Sequence, residues 1–209
     1  MLNNKDVFEK LMALLRSIEP DKSLPPGLED LLWAEMMVVD YCYQETELEP
    51  EGKTPANAYY VVSGFVMVYA WCPEGYRYLY RIYPENTIVA FTDFVNQKIS
   101  AYLIVACRNT RVWSISNALI KKIYLKMPEM MVTALNVALH FSEYMERLHS
   151  DLLRLNADAR VLKFYTDFPD LNVARTSPVV PADTAAFLSL TPAQLKKAKI
   201  RLKKKKLIK

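Results

Sequence analysis

"ADTAAFLSLTPAQLKKAKIRLKKKKLIK", residues 182–209, decides how this chain is read. Asp183 can cap a short helix over Ala185–Leu188 that ends at Ser189, Leu190 and Thr191. Thr191 then caps a second helix with Pro192 at its first position, where the missing N–H costs nothing. On this second helix Leu195, Ala198 and Leu202 form a stripe to be buried, while Gln194, Lys196, Lys197 and Arg201 face outward. Two helices joined by a short turn, the second basic on its outer face, make the helix-turn-helix pattern. Base readers sit near the start of such a helix. Pro192 and Ala193 occupy that start, which leaves Gln194 and Lys197 for the bases. Lys196, Lys199, Arg201 and Lys203, Lys204, Lys205 and Lys206 are assigned to phosphates.

The charge distribution agrees. The chain has 209 residues, 27 basic and 23 acidic, for a net charge of +4. From Lys196 to the end there are nine Lys or Arg and no acid, so residues 1–195 hold 18 basic against 23 acidic residues, a net −5. An acidic body with a basic end points to a polyanionic partner. The alternative is a solvated charged tail.

Upstream lies a long helical pattern, about residues 129–156, in which Ala134, Ala138, Phe141, Met145, Leu148, Leu152 and Leu155 recur at alternating spacings of four and three. That heptad seam favours pairing with a second copy in a supercoil, with Leu135, Leu139 and Leu153 as a further apolar flank. The alternative is a helix packed on its own sheet. Before it, from about Tyr41 to Ser116, come short β-branched and aromatic runs: "NAYYVVSGFVMVYAW", "YRYLYRIY", "AYLIVACRN" and "TRVWSIS". With "CPEG" as a hairpin connection, they imply an antiparallel sandwich or barrel. Residues 4–18 and 27–39 read as helices.

The order is helices, β-roll, long pairing helix, basic helix-turn-helix. It resembles the Crp/Fnr family of bacterial transcription regulators over nearly the whole chain. The residues that carry the likeness are "EPEGKTPANAYYVVSGFVMVY", with Gly52 and Gly64 at β-roll turns, and "FLSLTPAQLKKAKIRL", in which Ser189 stands where the family has a turn glycine. The resemblance implies an α+β fold: N-terminal helices and a cyclic-nucleotide-binding-like β-roll (a double-stranded β-helix) over 1–127, a dimerisation helix over 128–156, and a reduced winged helix over 157–209. It also implies a homodimer on double-stranded DNA, controlling transcription, with RNA polymerase as a further partner. Thr191, Gln194, Lys196, Lys197, Lys199, Arg201, Lys203 and Lys204 are the DNA-contacting set.

In cyclic-nucleotide-binding members, Gly-Glu-Leu and a later Arg-Ser or Arg-Thr hold the ribose and the cyclic phosphate. Laid over "ENTIVAFTDFVNQKISAYLIVACRNTRVWSIS", residues 85–116, the glycine falls on Val89, the glutamate on Ala90, the arginine on Ser100 and the next residue on Ala101. A buried phosphate without its arginine loses a charge-assisted contact worth several kcal/mol. Cyclic AMP is therefore not expected to bind in the family's manner. Tyr59, Tyr69, Phe91, Phe94 and Tyr102 would line the pocket or fill it.

Other chemistries lack their ligands. Cys42, Cys72 and Cys107 are too few for an iron–sulfur centre and too scattered for zinc. His140 and His149 are nine residues apart on one helix, on opposite faces. No strand carries a histidine, and neither a phosphate loop nor a nucleophile elbow is present. No enzyme activity, cofactor or metal is expected. The absence of an apolar span or leader makes the cytoplasm the expected compartment, without membrane association. The effector is left open.

Overall fold

A computed structural model of the chain describes residues 4–42, 44–90, 92–172 and 177–208, with side chains at all of these except 37–42 and 141. The architecture is α+β. Helices α1 (Asn4–Ile18) and α2 (Leu28–Glu35) precede strands β1 (Met37–Cys42), β2 (Thr46–Glu49), β3 (Asn57–Ser63), β4 (Val66–Trp71), β5 (Arg77–Tyr83) and β6 (Thr87–Val89). A short α3 (Thr92–Asn96) leads to β7 (Leu103–Ala106) and β8 (Thr110–Ser116). Then come α4 (Asn117–Lys126), the long α5 (Met130–Arg154), α6 (Ala157–Asp167), α7 (Pro181–Phe187) and α8 (Pro192–Lys204). The strands form two four-stranded sheets, ordered β1-β8-β3-β6 and β2-β7-β4-β5.

The chain divides into two compact units, Met1–Met67 with Tyr83–Ser142, and Val68–Ile82 with Glu143–Lys209. In the first, Val7, Phe8, Leu11, Met12 and Leu15 repeat at helical spacing, so α1 buries one face. They join Leu28, Leu32, Trp113, Leu119 and Ile123 in the core. Tyr60 pairs with Trp113 and Ile88 across the first sheet, fixing its register. The turn between β3 and β4 needs Gly64: its φ is +82°, and an added Cβ would lie 2.6 Å from Thr110 Oγ1. The Thr110 hydroxyl also donates to the Phe65 carbonyl (2.9 Å) and accepts from the Phe65 N–H (3.0 Å).

One helix boundary differs from expectation. Residues 27–39 read as one helix, but α2 stops at Glu35 and β1 starts at Met37. Met36 is extended at φ −72°, ψ 136°, and its N–H closes the helix on the Leu32 carbonyl. Met37, Val38 and Val39 then pair with Ser114, Trp113 and Val112. A continuous apolar run satisfies either period, and the sheet ladder decides it.

In the second unit Asn156 caps α6, its Oδ1 accepting from the Ala159 N–H at 3.0 Å. The Phe164 ring lies 5.1–5.7 Å from those of Tyr165, Phe168 and Phe187, which makes an aromatic core under α7 and α8.

A candidate nucleic-acid interface

Helix α7 starts earlier than the sequence suggested. Val180 is its N-cap and Pro181 its first residue, so Asp183 sits inside the first turn rather than capping it. The fixed φ of proline is already helical, which moves the start upstream. The Asp183 carboxylate accepts from the Tyr69 hydroxyl at 3.2 Å instead.

The turn that follows is a Schellman closure. Leu190 N–H bonds the Ala185 carbonyl (2.8 Å) and Ser189 N–H bonds that of Ala186 (3.0 Å). Ser189 takes φ +52°, a conformation glycine adopts without cost. The Arg160 guanidinium braces this turn. Its Nη1 donates to the Leu188 carbonyl at 3.1 Å, and its Nε to that of Leu155 at 2.9 Å.

Helix α8 begins with a full capping box. The Gln194 N–H donates to Thr191 Oγ1 (3.2 Å), and the Thr191 N–H donates to Gln194 Oε1 (2.8 Å). Leu195, Ala198 and Leu202 are buried, as expected. Lys196, Lys197, Lys203 and Lys204 are exposed. Lys205 and Lys206 are exposed as well, whereas Gln194, Lys199 and Arg201 also make contacts within the chain. Arg201 forks onto Asp158, Nε to Oδ2 at 2.8 Å and Nη2 to Oδ1 at 2.5 Å. That hydrogen-bonded guanidinium holds the Asp158 carboxyl below its usual value. The Lys199 ammonium lies 5.0 Å from the centre of the Tyr165 ring. The sequence reading gave Gln194 to the bases and missed that its spacing from Thr191 is the capping-box signature. The Arg201–Asp158 pair leaves no local signal.

At the positions aligned with the nucleotide site, Val89 is buried at the end of β6, and Ala90 and Ala101 are exposed. Ser100 is buried, its Oγ accepting from the Tyr102 N–H at 3.1 Å, while its backbone pairs with Gly52 and Lys53. Phe91 lies outside the described residues. Tyr59, Tyr69 and Phe94 are buried rings. The sequence reading also missed Glu49, a buried carboxylate that accepts from the N–H groups of Ala56 (3.0 Å) and Asn57 (2.9 Å) and from the Tyr59 hydroxyl (2.7 Å). Burial first, then Glu49, pushes the Tyr59 phenol well above its ordinary value. Among the described residues no cluster of His, Cys, Asp and Glu could hold a metal, and no helix is long and apolar enough to cross a membrane.

Along α5, Ala134 and Met145 are half-buried and Ala138 is exposed. Leu148, Leu152 and Leu155 are half-buried and line a cleft with Phe164, Phe168, Phe187 and Leu188 of the same chain. The side chain of Phe141 lies outside the described residues. Among the described residues of α5, the exposed large apolar side chains are Met131, Val132, Leu135, Leu139 and Leu153.

No family model and no curated protein matches the sequence. Solved structures do. FixK2 from Bradyrhizobium japonicum is 18% identical, with a TM-score of 0.67 over 81% of this chain and 85% of that one. The c-di-GMP-responsive global regulator CLP from Xanthomonas campestris is 15% identical, with 0.61 over 87% and 93%. DNR from Pseudomonas aeruginosa is 19% identical, with 0.54 over 98% and 90%. From its first helices to its basic end, the chain has the fold of the Crp/Fnr regulators.

Proposed function

We propose that this protein is a DNA-binding transcription regulator that acts as a homodimer and does not hold cyclic AMP through a ribose-binding glutamate and a phosphate-binding arginine. One observation carries the reading. Helix α8 is firmly capped and buries Leu195, Ala198 and Leu202, so that Lys196, Lys197, Lys203 and Lys204 stand together on its exposed side. A rigid basic helix behind a short turn is the element that enters a major groove, and the lysines supply phosphate neutralisation. Ser100 and Ala90 offer neither a guanidinium nor a carboxylate to a nucleotide.

Pairing is assigned to α5, through the seam residues and the exposed Leu135 and Leu139 beside them. RNA polymerase is the further partner such a regulator addresses. The test is selection of genomic fragments by the purified protein. Enrichment of an inverted repeat supports a dimeric reader, and retention of all fragments alike points instead to a basic module that binds polyanions without preference.

A further inference from the structure

We propose that Ile200 is a base-reading residue and that α8 recognises thymine through its C5-methyl group; this rests on the DNA-binding reading above. At 3.6 residues per turn, Ala193, Lys197, Ile200 and Lys204 lie on the side of α8 opposite Leu195, Ala198 and Leu202. Ile200 is 47% exposed there, an apolar side chain in the middle of a face otherwise made of lysines and one alanine.

The polar candidates for base contact are largely committed elsewhere. Gln194 spends its oxygen on the Thr191 N–H, Arg201 is forked onto Asp158, and Lys199 lies over Tyr165. What projects freely outward along the centre of the face is a methyl, an ammonium and a branched alkyl group. In the major groove the apolar feature that distinguishes one base from the others is the thymine methyl. A lysine at position 200 would add charge without sequence information. An isoleucine gives up that charge and offers a side chain already restricted at χ1 by the helix, so little freedom is lost on contact. Lys197, one turn before it, supplies the donor for an adjacent guanine edge or phosphate.

The experiment takes the fragment bound most tightly by the full-length protein and replaces its thymines by uracil one at a time, which removes only the methyl. We expect a loss of about fourfold at one or more positions in each half-site, the worth of one buried methyl. Ile200→Ala should abolish that sensitivity while keeping the salt dependence and the folded circular dichroism spectrum; Ile200→Val should retain most of it. A fragment bound equally tightly with uracil at every position overturns the assignment but leaves DNA reading intact. So does Ile200→Ala with undiminished sensitivity. If no fragment is preferred over random duplex, this assignment falls together with the reading on which it rests.

Discussion

Arg201 and Asp158, 43 residues apart, are joined by a two-pronged ion pair that ties α8 to the first turn of α6. The guanidinium expected on a phosphate, about half exposed at the surface, is engaged by a carboxylate of the same chain. Arg201→Ala should leave the slope of log K against log salt unchanged for DNA binding, whereas Lys204→Ala should reduce it by about 0.9. A slope reduced equally by both would put Arg201 on the DNA.

The same pair gives a pH dependence. The Asp158 carboxyl titrates below its usual value in the folded state because Arg201 hydrogen-bonds its charged form. Its contribution is present above the unfolded value of about 4 and disappears as pH falls through the folded one. Thermal unfolding of the wild type should thus lose stability in that acid window, and Asp158→Asn should lose less there. Matching acid profiles for the two proteins would remove Asp158 from the account.

Ser189 occupies left-handed backbone at φ +52° in the turn braced by Arg160. Ser189→Gly should raise stability by about 1 kcal/mol, since glycine lacks the Cβ clash. Arg160→Ala should cost about 1.5–3 kcal/mol, because the Leu155 and Leu188 carbonyls lose a charged donor. Chemical denaturation measures both. A destabilised Ser189→Gly protein would mean that the hydroxyl contributes more than the backbone strain costs.

Within the β-roll, Glu49→Gln should be destabilising by about 1–3 kcal/mol despite its equal size. An amide has one acceptor oxygen where the carboxylate has two, and Ala56, Asn57 and Tyr59 all donate to it. Gly64→Ala, forced against Thr110 at positive φ, should cost about 1–3 kcal/mol. Denaturation midpoints close to wild type for either variant would show that the β3–β4 turn or the loop at Glu49 relaxes freely.

With alanine at 90 and serine at 100, the proposal predicts that cyclic AMP at about 1 mM, a concentration that saturates a micromolar site, leaves DNA affinity unchanged. Calorimetry with the nucleotide should show no binding heat. Saturable micromolar binding would mean that the segment around Ser100 holds the phosphate by other groups.

Much of this was legible in residue order. The stripe Leu195–Ala198–Leu202 and the Thr191-Pro192 start survive intact because capping and helical period are local properties. Gln194 also closes a capping box on Thr191, a role its spacing from Thr191 already spelled. Val38 and Val39 were read as helix because an apolar run fits both periods until β8 pairs with it. Asp158 with Arg201 and Arg160 with Leu188 depend on how α6 meets α8 and the turn, and no periodicity encodes such contacts. Glu49, at the end of β2, carries no local pattern that marks it as buried, and only the fold gives it three donors.

The most direct test of DNA reading by α8 is the ratio of dissociation constants for a selected genomic fragment and a scrambled duplex of equal length. It would be measured at one salt concentration for the wild type and for Lys197→Ala. A specific reader gives a ratio of about 10³ or more, which should fall by roughly tenfold to a hundredfold in the variant. A wild-type ratio near one, with steep salt dependence on both duplexes, would contradict the account and leave only electrostatic attraction between the basic end and any polyanion.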